Sequence, residues 1–276
     1  MSKKQPLVSA VVTTCNRADL LSRALDSVVV QTYDNLELII VDDGSTDQTP
    51  RVIEGYKDIR SIKYIRNETS LGACRARNRG IQEANGTFVA GLDDDDKWHE
   101  ERIEKMVAAY SDEYACVTSD ITMVYPHAEK VWKKKRIIDL YTLLFTNQVG
   151  NQVLARRDRV LEVGGFDPDL EAAQDYDLWI RLCKEYGPIL NVQEPLQTVY
   201  LGHSEDQITH QSAFKGYLQF YKKHKSLMNK AQKKYQLYNI RRAEDKPLNF
   251  TEFVGYVPPF RYMDEIKRII AGKIWK

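Results

Sequence analysis

Four consecutive carboxylates, Asp93 to Asp96, stand directly behind the short apolar run of residues 88 to 92 in TFVAGLDDDDKW. At roughly 6 Å and an effective dielectric of about 20, each neighbouring pair repels by about 3 kcal/mol. Something must offset that repulsion. In extended backbone successive side chains alternate faces, so Asp93 and Asp95 are expected on one face and Asp94 and Asp96 on the other. A carboxylate pair on one face is half of a site for a hard divalent cation, Mg2+ or Mn2+. A solvated acidic turn is the plainer reading of an isolated tetrad, but its place behind a buried strand and before Trp98 favours the cation.

Short apolar runs alternate with helix-period segments from residue 7 to about 118, the pattern of a parallel sheet covered by helices. Strands are predicted at LVSAVVT (7–13), LELIIV (36–41), IKYI (62–65), TFVAGL (87–92) and ACVTS (115–119). Leu20, Leu21, Ala24, Leu25 and Val28 share one face of a helix that Asn16 is placed to cap. Ser45, Thr46 and Asp47 are candidate caps for a second helix, and residues 74–84 read as a third. In such folds ligands bind beyond the carboxyl ends of the strands, near a switch in strand order. Those ends carry Thr13 and Thr14, Asp42 and Asp43, and the tetrad. No GxGxxG follows the first strand and no GxxxxGK[ST] occurs, so a dinucleotide dehydrogenase and a P-loop NTPase are both disfavoured. A diphosphate in this cleft would need a cation on the aspartates to neutralise it.

After residue 120 the rhythm changes. A basic stretch, VWKKKR (131–136), precedes an apolar segment, DLYTLLF, and from about residue 212 a lysine- and tyrosine-rich helical tail is expected. The division expected is a nucleotide-binding half at 1–120, an acceptor-binding half of the same domain at 121–211, and a basic helical extension at 212–276. Formal net charge is +1, with 29% charged residues, so there is no global case for a nucleic-acid partner. Cys15, Cys74, Cys116 and Cys183 form no CxxC and no tight His/Cys spacing, which fits a reducing cytosol. The N-terminal apolar run is too short and β-branched for a signal peptide, and no segment approaches 18 apolar residues. A cytoplasmic location, extending to the inner face of the plasma membrane, is the expectation.

The succession VSAVVTTCNR, LELIIVDDGSTD, SLGACRARNRGI, GLDDDDKW and VGGFDPDLEAAQDYDLWIRL resembles the family 2 glycosyltransferases over residues 7 to 200. This resemblance implies the GT-A fold, an α/β architecture with a Rossmann-like, mostly parallel central sheet flanked by helices. It implies inverting transfer of a hexose from a nucleoside diphosphate sugar, commonly a UDP-sugar, to an acceptor hydroxyl. By motif position it further implies that Thr13 meets the base, that Asp43 bonds the uracil edge, and that Asn67 and Arg77 line the nucleotide. Cys15 stands where the family usually carries tyrosine, so stacking on the base is lost. The resemblance places Asp93 and Asp94 at ribose and donor contacts, with Asp95 closing a DxD motif as metal ligand alongside Asp93. Asp175 matches the general base, with Gln174 where the family usually has glutamate.

Asp175 would equally suit an acid in the first turn of the helix carrying Leu178, Trp179 and Leu182. Arg75, Arg77 and Arg79 could form an exposed helix face, with one of them, Arg77 by preference, turned to the nucleotide. The WKKKR stretch reads as a solvated loop in preference to an anion site. His203 is as consistent with a surface residue as with a diphosphate contact. The tail, with Ile266, Ile269, Ile270, Ile274 and Trp275 among lysines and Arg268, suits either an anionic membrane surface or packing on protein. A lipid-linked sugar, on a polyprenyl diphosphate in O-antigen or capsule synthesis, is the acceptor the resemblance brings to mind. Two other classes compete with sugar transfer: a sugar nucleotidyltransferase, for which TTCNRADLL lacks a glycine- and lysine-rich loop, and a non-catalytic sugar- or nucleotide-binding module.

Overall fold

The computed structural model describes residues 5–58, 61–201, 210–243 and scattered positions between 253 and 267. The chain divides into two compact units: residues 1–140, 148–168 and 174–203 form the first, and 141–147, 169–173 and 204–276 the second. Among the described residues no helix is long and apolar enough to cross a membrane.

The first unit is built on one mixed sheet. Its opening strands β1 (Val8–Thr14) and β2 (Leu36–Asp42) are buried nearly throughout, as β-branched runs covered on both faces should be. Between them α1 (Ala18–Val29) turns Leu21, Ala24, Leu25 and Val28 inward onto Val8, Ala10, Val12 and Ile40. The order continues α2 (Thr49–Glu54), β3 (Ser61–Arg66), α3 (Ala73–Gln82), β4 (Phe88–Asp93), β5 (Lys97–Trp98), α4 (Arg102–Ala109) and β6 (Cys116–Tyr125). Next come β7 (Ala128–Trp132), β8 (Ile137–Ile138), β9 (Leu154–Arg156), α6 (Arg157–Glu162), α7 (Gln174–Tyr186) and β10 (Ile189–Tyr200), while the single turn α5 (Leu140–Leu143), between β8 and β9 in the chain, falls in the second unit but for Leu140.

Hydrogen bonding sets the strand order β3-β2-β1-β4-β9-β6-β10-β5, with β7 on β6 and β8 on β10. Strands β3, β2, β1 and β4 run parallel; β9 enters antiparallel to both β4 and β6. The order reverses at β1, where Thr13 pairs with Val41 on one side and Asp93 on the other, and Thr14 pairs with Asp42. One level of the sheet therefore collects the polar ends of three strands.

Two local expectations fail for identifiable reasons. Asn16 does not cap α1: its backbone lies at φ 53°, and its Oδ1 accepts from the Thr46 amide at 2.7 Å. Asp47 caps instead, taking the Ala18 amide of α1 on Oδ2 at 3.1 Å and the Thr49 amide of α2 on Oδ1 at 2.9 Å. One carboxylate thus serves two helix N-termini. Strand β6 also runs well past residue 119, because the turn-like pair Ser119 and Asp120 is buried and hydrogen-bonded within the sheet.

The second unit contains α8 (His210–His224), a 3₁₀ turn at Lys225–Leu227 and α9 (Lys230–Ala243). Asn229 and Gln232 form a reciprocal capping box on α9: each side chain accepts the other's amide, at 2.8 and 2.9 Å. Gly216 lets α8 approach the backbone of Ala172, whose nitrogen would lie 2.3 Å from an added Cβ. Tyr235, Tyr238 and Val257 form a small core with Phe145, Phe253 and Tyr262. Of the tail residues singled out above, Ile266 and Lys267 are exposed. Ile269, Ile270, Ile274 and Trp275 lie outside the described residues.

Gly80 marks where α3 meets the sheet: a Cβ there would lie 2.5 Å from Val11 and 3.1 Å from Val41. Gly80→Val is therefore expected to cost about 2–3 kcal/mol by overpacking, read as a lower urea midpoint at unchanged m. At the opposite end of the strands, buried Glu37 accepts from Ser9 Oγ at 2.5 Å and from the Asn85 amide at 2.7 Å. Burial would raise its carboxyl, but these donors outweigh burial and hold it below the ordinary 4.5. A depressed folded-state value stabilises above the unfolded value and is lost as pH falls through the folded one. The stability gap between wild type and Glu37→Gln should accordingly narrow below about pH 4.5, as urea titrations at pH 7, 5 and 3.5 would measure.

Candidate active site

The loop after β1 is locked to the loop after β2. Asp43 donates its amide to Thr14 O at 2.9 Å, Cys15 Sγ donates to Asp43 O at 3.3 Å, and the Asn16 amide reaches Ser45 Oγ at 2.9 Å. The Asp43 side chain folds a third loop. It accepts from Asn67 Nδ2 at 2.6 Å, Ser70 Oγ at 2.8 Å and the amides of Leu71 and Gly72, the last at 2.8 Å. Burial would raise this carboxyl, yet that set of donors holds it below the usual range. Thr13, Cys15, Asp43 and Asn67 are thus brought together at one end of the sheet. Asp43 is already saturated with protein donors.

The aspartate run departs from the alternation expected of it. Strand β4 stops at Asp93, and the Asp96 amide bonds back to Asp93 O at 3.1 Å, closing a four-residue turn. The turn pairs the acids 93 with 96 and 94 with 95, where extended backbone would pair 93 with 95. Asn151 Nδ2 donates to Asp93 Oδ2 at 2.6 Å and to Asp96 Oδ2 at 3.0 Å. Arg17 Nη1 bridges Asp94 at 3.3 Å and Asp95 at 2.7 Å. Arg77, the arginine of α3 favoured above, pairs with Asp93 at 2.8 Å. Arg79 turns back to Asn67 and Arg75 is exposed.

Burial and repulsion leave their mark on these groups. Asp94 is pushed up to about 6, chiefly by burial, against the opposing pull of Arg17. Asp96, 2% exposed, is raised well above the carboxylate range by burial and by Asp93. The Asp93 and Asp95 side chains keep 25% and 32% of their surface and so stay open to a cation. Hard carboxylate oxygens in a cluster short of positive charge fit Mg2+ or Mn2+. Arg17 would have to share Asp95 with such an ion. Among the described residues no group of three or more His, Cys, Asp or Glu is disposed to hold a metal, so two carboxylates would leave most of the coordination shell to phosphate and water.

Asp175 stands in the first turn of α7, half-buried. Burial raises its carboxyl, the Tyr176 amide and the Arg77 charge lower it, and Asp93 raises it further. It therefore shares an electrostatic neighbourhood with the Asp93–Asp96 run. His203 lies outside the described residues.

Several supporting residues escaped sequence reasoning. Gln152 donates to Asp96 Oδ2 at 2.7 Å and accepts from Trp98 Nε1 at 2.7 Å, linking the turn to a buried indole. The WKKKR stretch is not a wholly solvated loop: Lys134 is 5% exposed, and its ammonium donates to Ser119 O and Val149 O, both at 2.6 Å. Burial pulls this amine well below its ordinary value. Arg102, also buried and lowered to about 9 by burial, donates to Ser119 Oγ at 2.7 Å. Residues 149–152 are thereby held from beneath while Asn151 and Gln152 face the acids. Arg17 was within reach of sequence reasoning, since it closes the TTCNR segment immediately after β1.

Residues 9–166 match glycosyl transferase family 2. The chain is a member of that family. WcaA of Escherichia coli K12, a protein named for colanic acid biosynthesis as a glycosyl transferase, is 35% identical over 269 residues, 90% of this chain and 92% of WcaA. TuaG of Bacillus subtilis 168, named for teichuronic acid biosynthesis, is 28% identical over 67% of this chain and 75% of its own length. Among solved structures, Staphylococcus aureus TarS residues 1–349 with UDP-GlcNAc superposes with a TM-score of 0.65 at 18% identity, covering 96% of this chain and 80% of that one. The mannosyltransferase PcManGT of Pyrobaculum calidifontis, with GDP-Man and Mn2+, gives 0.62 at 16% identity, covering 99% and 81%. The fold is GT-A and the protein is a glycosyltransferase, which decides for sugar transfer over nucleotidyl transfer.

The Gln152 bridge gives a direct test of the support under the acids. Gln152→Leu leaves buried Asp96 and Trp98 each short of one partner and should lower unfolding stability by about 3 kcal/mol in urea titrations. Gln152→His should recover part of that loss.

Proposed function

We propose that this protein is a metal-dependent inverting hexosyltransferase using a nucleoside diphosphate sugar, a UDP-sugar by preference. The observation that carries this reading is the convergence of Asp93, Arg77 and Asp175 at the carboxyl end of the sheet, beside the Asp43–Asn67 loop. Residues 1–120 would hold the donor and 121–211 the acceptor. The base would lie against Thr13, Cys15 and Asn67. Because Asp43 is already saturated, a base N–H bonding to it must share or replace one of its donors. Cys15 offers no ring to stack on the base, so selectivity would rest on hydrogen bonds and shape.

Mg2+ or Mn2+ held by Asp93 and Asp95 would supply Lewis acidity at the leaving diphosphate. Arg17 and Arg77 hold these acids when the donor is absent and can turn toward diphosphate oxygens when it binds. Asp94 would face the ribose or donor sugar. Asp175 would accept the proton of the acceptor hydroxyl as that oxygen attacks the anomeric carbon opposite the leaving group. Its upward shift, caused first by burial, suits the role, since it makes this carboxylate a stronger base than an ordinary one. The relatives named for colanic and teichuronic acid synthesis support a surface-polysaccharide acceptor. A polyprenyl-diphosphate-linked sugar at the inner face of the plasma membrane is the acceptor proposed.

The test is nucleotide release from UDP-, GDP- and dTDP-sugars with lipid-linked acceptors, in Mn2+, Mg2+ or EDTA. EDTA and Asp95→Ala should abolish turnover. Asp175→Asn should lower kcat by about 10²- to 10⁴-fold with donor binding retained. Turnover that survives EDTA would overturn the metal assignment, and an unimpaired Asp175→Asn would overturn the base.

A further inference from the structure

The chain is nearly neutral overall, but its charge is not evenly spread. Residues 210–243 contain nine Lys and Arg and no Asp or Glu, so the remainder of the chain carries a net charge of −8. Thirty-four residues without one acid, in a chain with 39 acids, is a composition suited to a partner of opposite sign. Position within the second unit concentrates the effect. Phe220, His224 and Met228, spaced four apart, are buried, and the Phe220 and His224 rings lie 4.9 Å apart. That inward row fixes the end of α8 and the 3₁₀ turn, and it leaves Lys222, Lys223, Lys225 and Lys230 exposed within nine residues. Leu227, 36% exposed, stands among these lysines. The capping box at Asn229 and Gln232 then starts α9 immediately, so the basic corner is a built turn.

We propose that the α8–α9 corner docks this protein on an anionic lipid bilayer. Charge complementarity argues for an anionic surface, and the exposed leucine among lysines favours a bilayer, into whose interface an apolar side chain can insert, over a purely polar polyanion. The surface lies inside the basic extension at 212–276, ahead of its last segment with Ile266 and Trp275. That last segment is nearly neutral: residues 244–276 hold six Lys and Arg against five acids. The inference deepens the reading that the acceptor is lipid-linked, but it is tested without turnover.

Full-length protein should co-sediment with vesicles of phosphatidylglycerol and phosphatidylcholine and not with phosphatidylcholine alone. Added salt should weaken the binding steeply. Each lysine near such a surface contributes about fivefold. The variant Lys222→Gln, Lys223→Gln, Lys225→Gln should therefore lose about 100-fold in partitioning, while Lys57→Gln, Lys130→Gln, Lys184→Gln should match wild type. Leu227→Ser should weaken binding at high salt, where the apolar contribution remains. Thermal unfolding of each variant would show that the fold is intact. Wild type that ignores anionic vesicles, a corner variant that binds like wild type, or tighter binding to single-stranded RNA than to vesicles would each overturn the proposal. Vesicle binding without any donor turnover would instead leave this surface standing and remove the transferase details proposed above.

Discussion

Everything at the carboxyl end of the sheet answers to the repulsion among four consecutive aspartates. Unscreened by partners, each adjacent pair works against folding by a few kcal/mol, a large share of the stability of an ordinary domain. The fold answers from four directions. Arg17 comes from the loop after β1, Arg77 from α3, Asn151 and Gln152 from the segment before β9, and the four-residue turn itself sends paired acids to different partners. These elements meet because β4 sits between β1 and β9, with Thr13 in register with Asp93. The same charge that these partners offset is what the function proposed above would use to hold a cation.

A second layer of buried charge supports the first. Lys134 and Arg102 lie beneath residues 149–152, and each gives up solvation that its partners only in part replace, as the downward shift of both shows. Arg102 Nε has no hydrogen-bond partner at all. Buried cations of this kind are a weak source of stability, and exchanging them for well-packed apolar side chains is often neutral. What they fix is geometry. Lys134 ties Ser119 O on β6 to Val149 O, so the strand and the loop that carries Asn151 cannot move independently. Gly150, at φ 90°, packs close on the same strand: an added Cβ would lie 2.9 Å from Ile121 Cδ1 and 3.4 Å from the Lys134 ammonium.

The parts legible in the sequence are those whose information is local. Strands β1, β2 and β4 announce themselves as apolar runs, and the polar residues at their ends follow directly. Asp175 needed the wider motif order, because its spacing alone also suits a first-turn helix acid. The alternation imposed on Asp93 to Asp96 failed because strand geometry was carried past the residue where β4 ends. Nothing in DDDD marks that end; the Asp96 amide bonding to Asp93 O does. Strand β9 is three residues long and exists only by pairing with β4 and β6, so no pattern of its own could reveal it. Lys134 sits in a run that looks solvated, and its burial is decided by Thr118, Ser119 and Val149.

The carboxylates outside the tetrad show how one end of one sheet assigns different work to like groups. Asp43 and Asp175 both lose solvent, which alone would raise both. Asp43 gains side-chain and backbone donors from a single loop and is pulled below the carboxylate range. Burial raises Asp175 against the Tyr176 amide and the field of Arg77, and Asp93 raises it further. Groups driven apart in this way divide into one that stays ionised and organises and one that can trade a proton. On that ground Asp43 is the strut of the loop at residues 67–72, and Asp175 is the more basic of the two. Arg77 couples the two carboxylates, since the guanidinium that neutralises Asp93 also lowers Asp175. Under the function proposed above, drawing Arg77 toward a bound diphosphate would loosen both ties, leaving Asp93 available to a cation and Asp175 more basic.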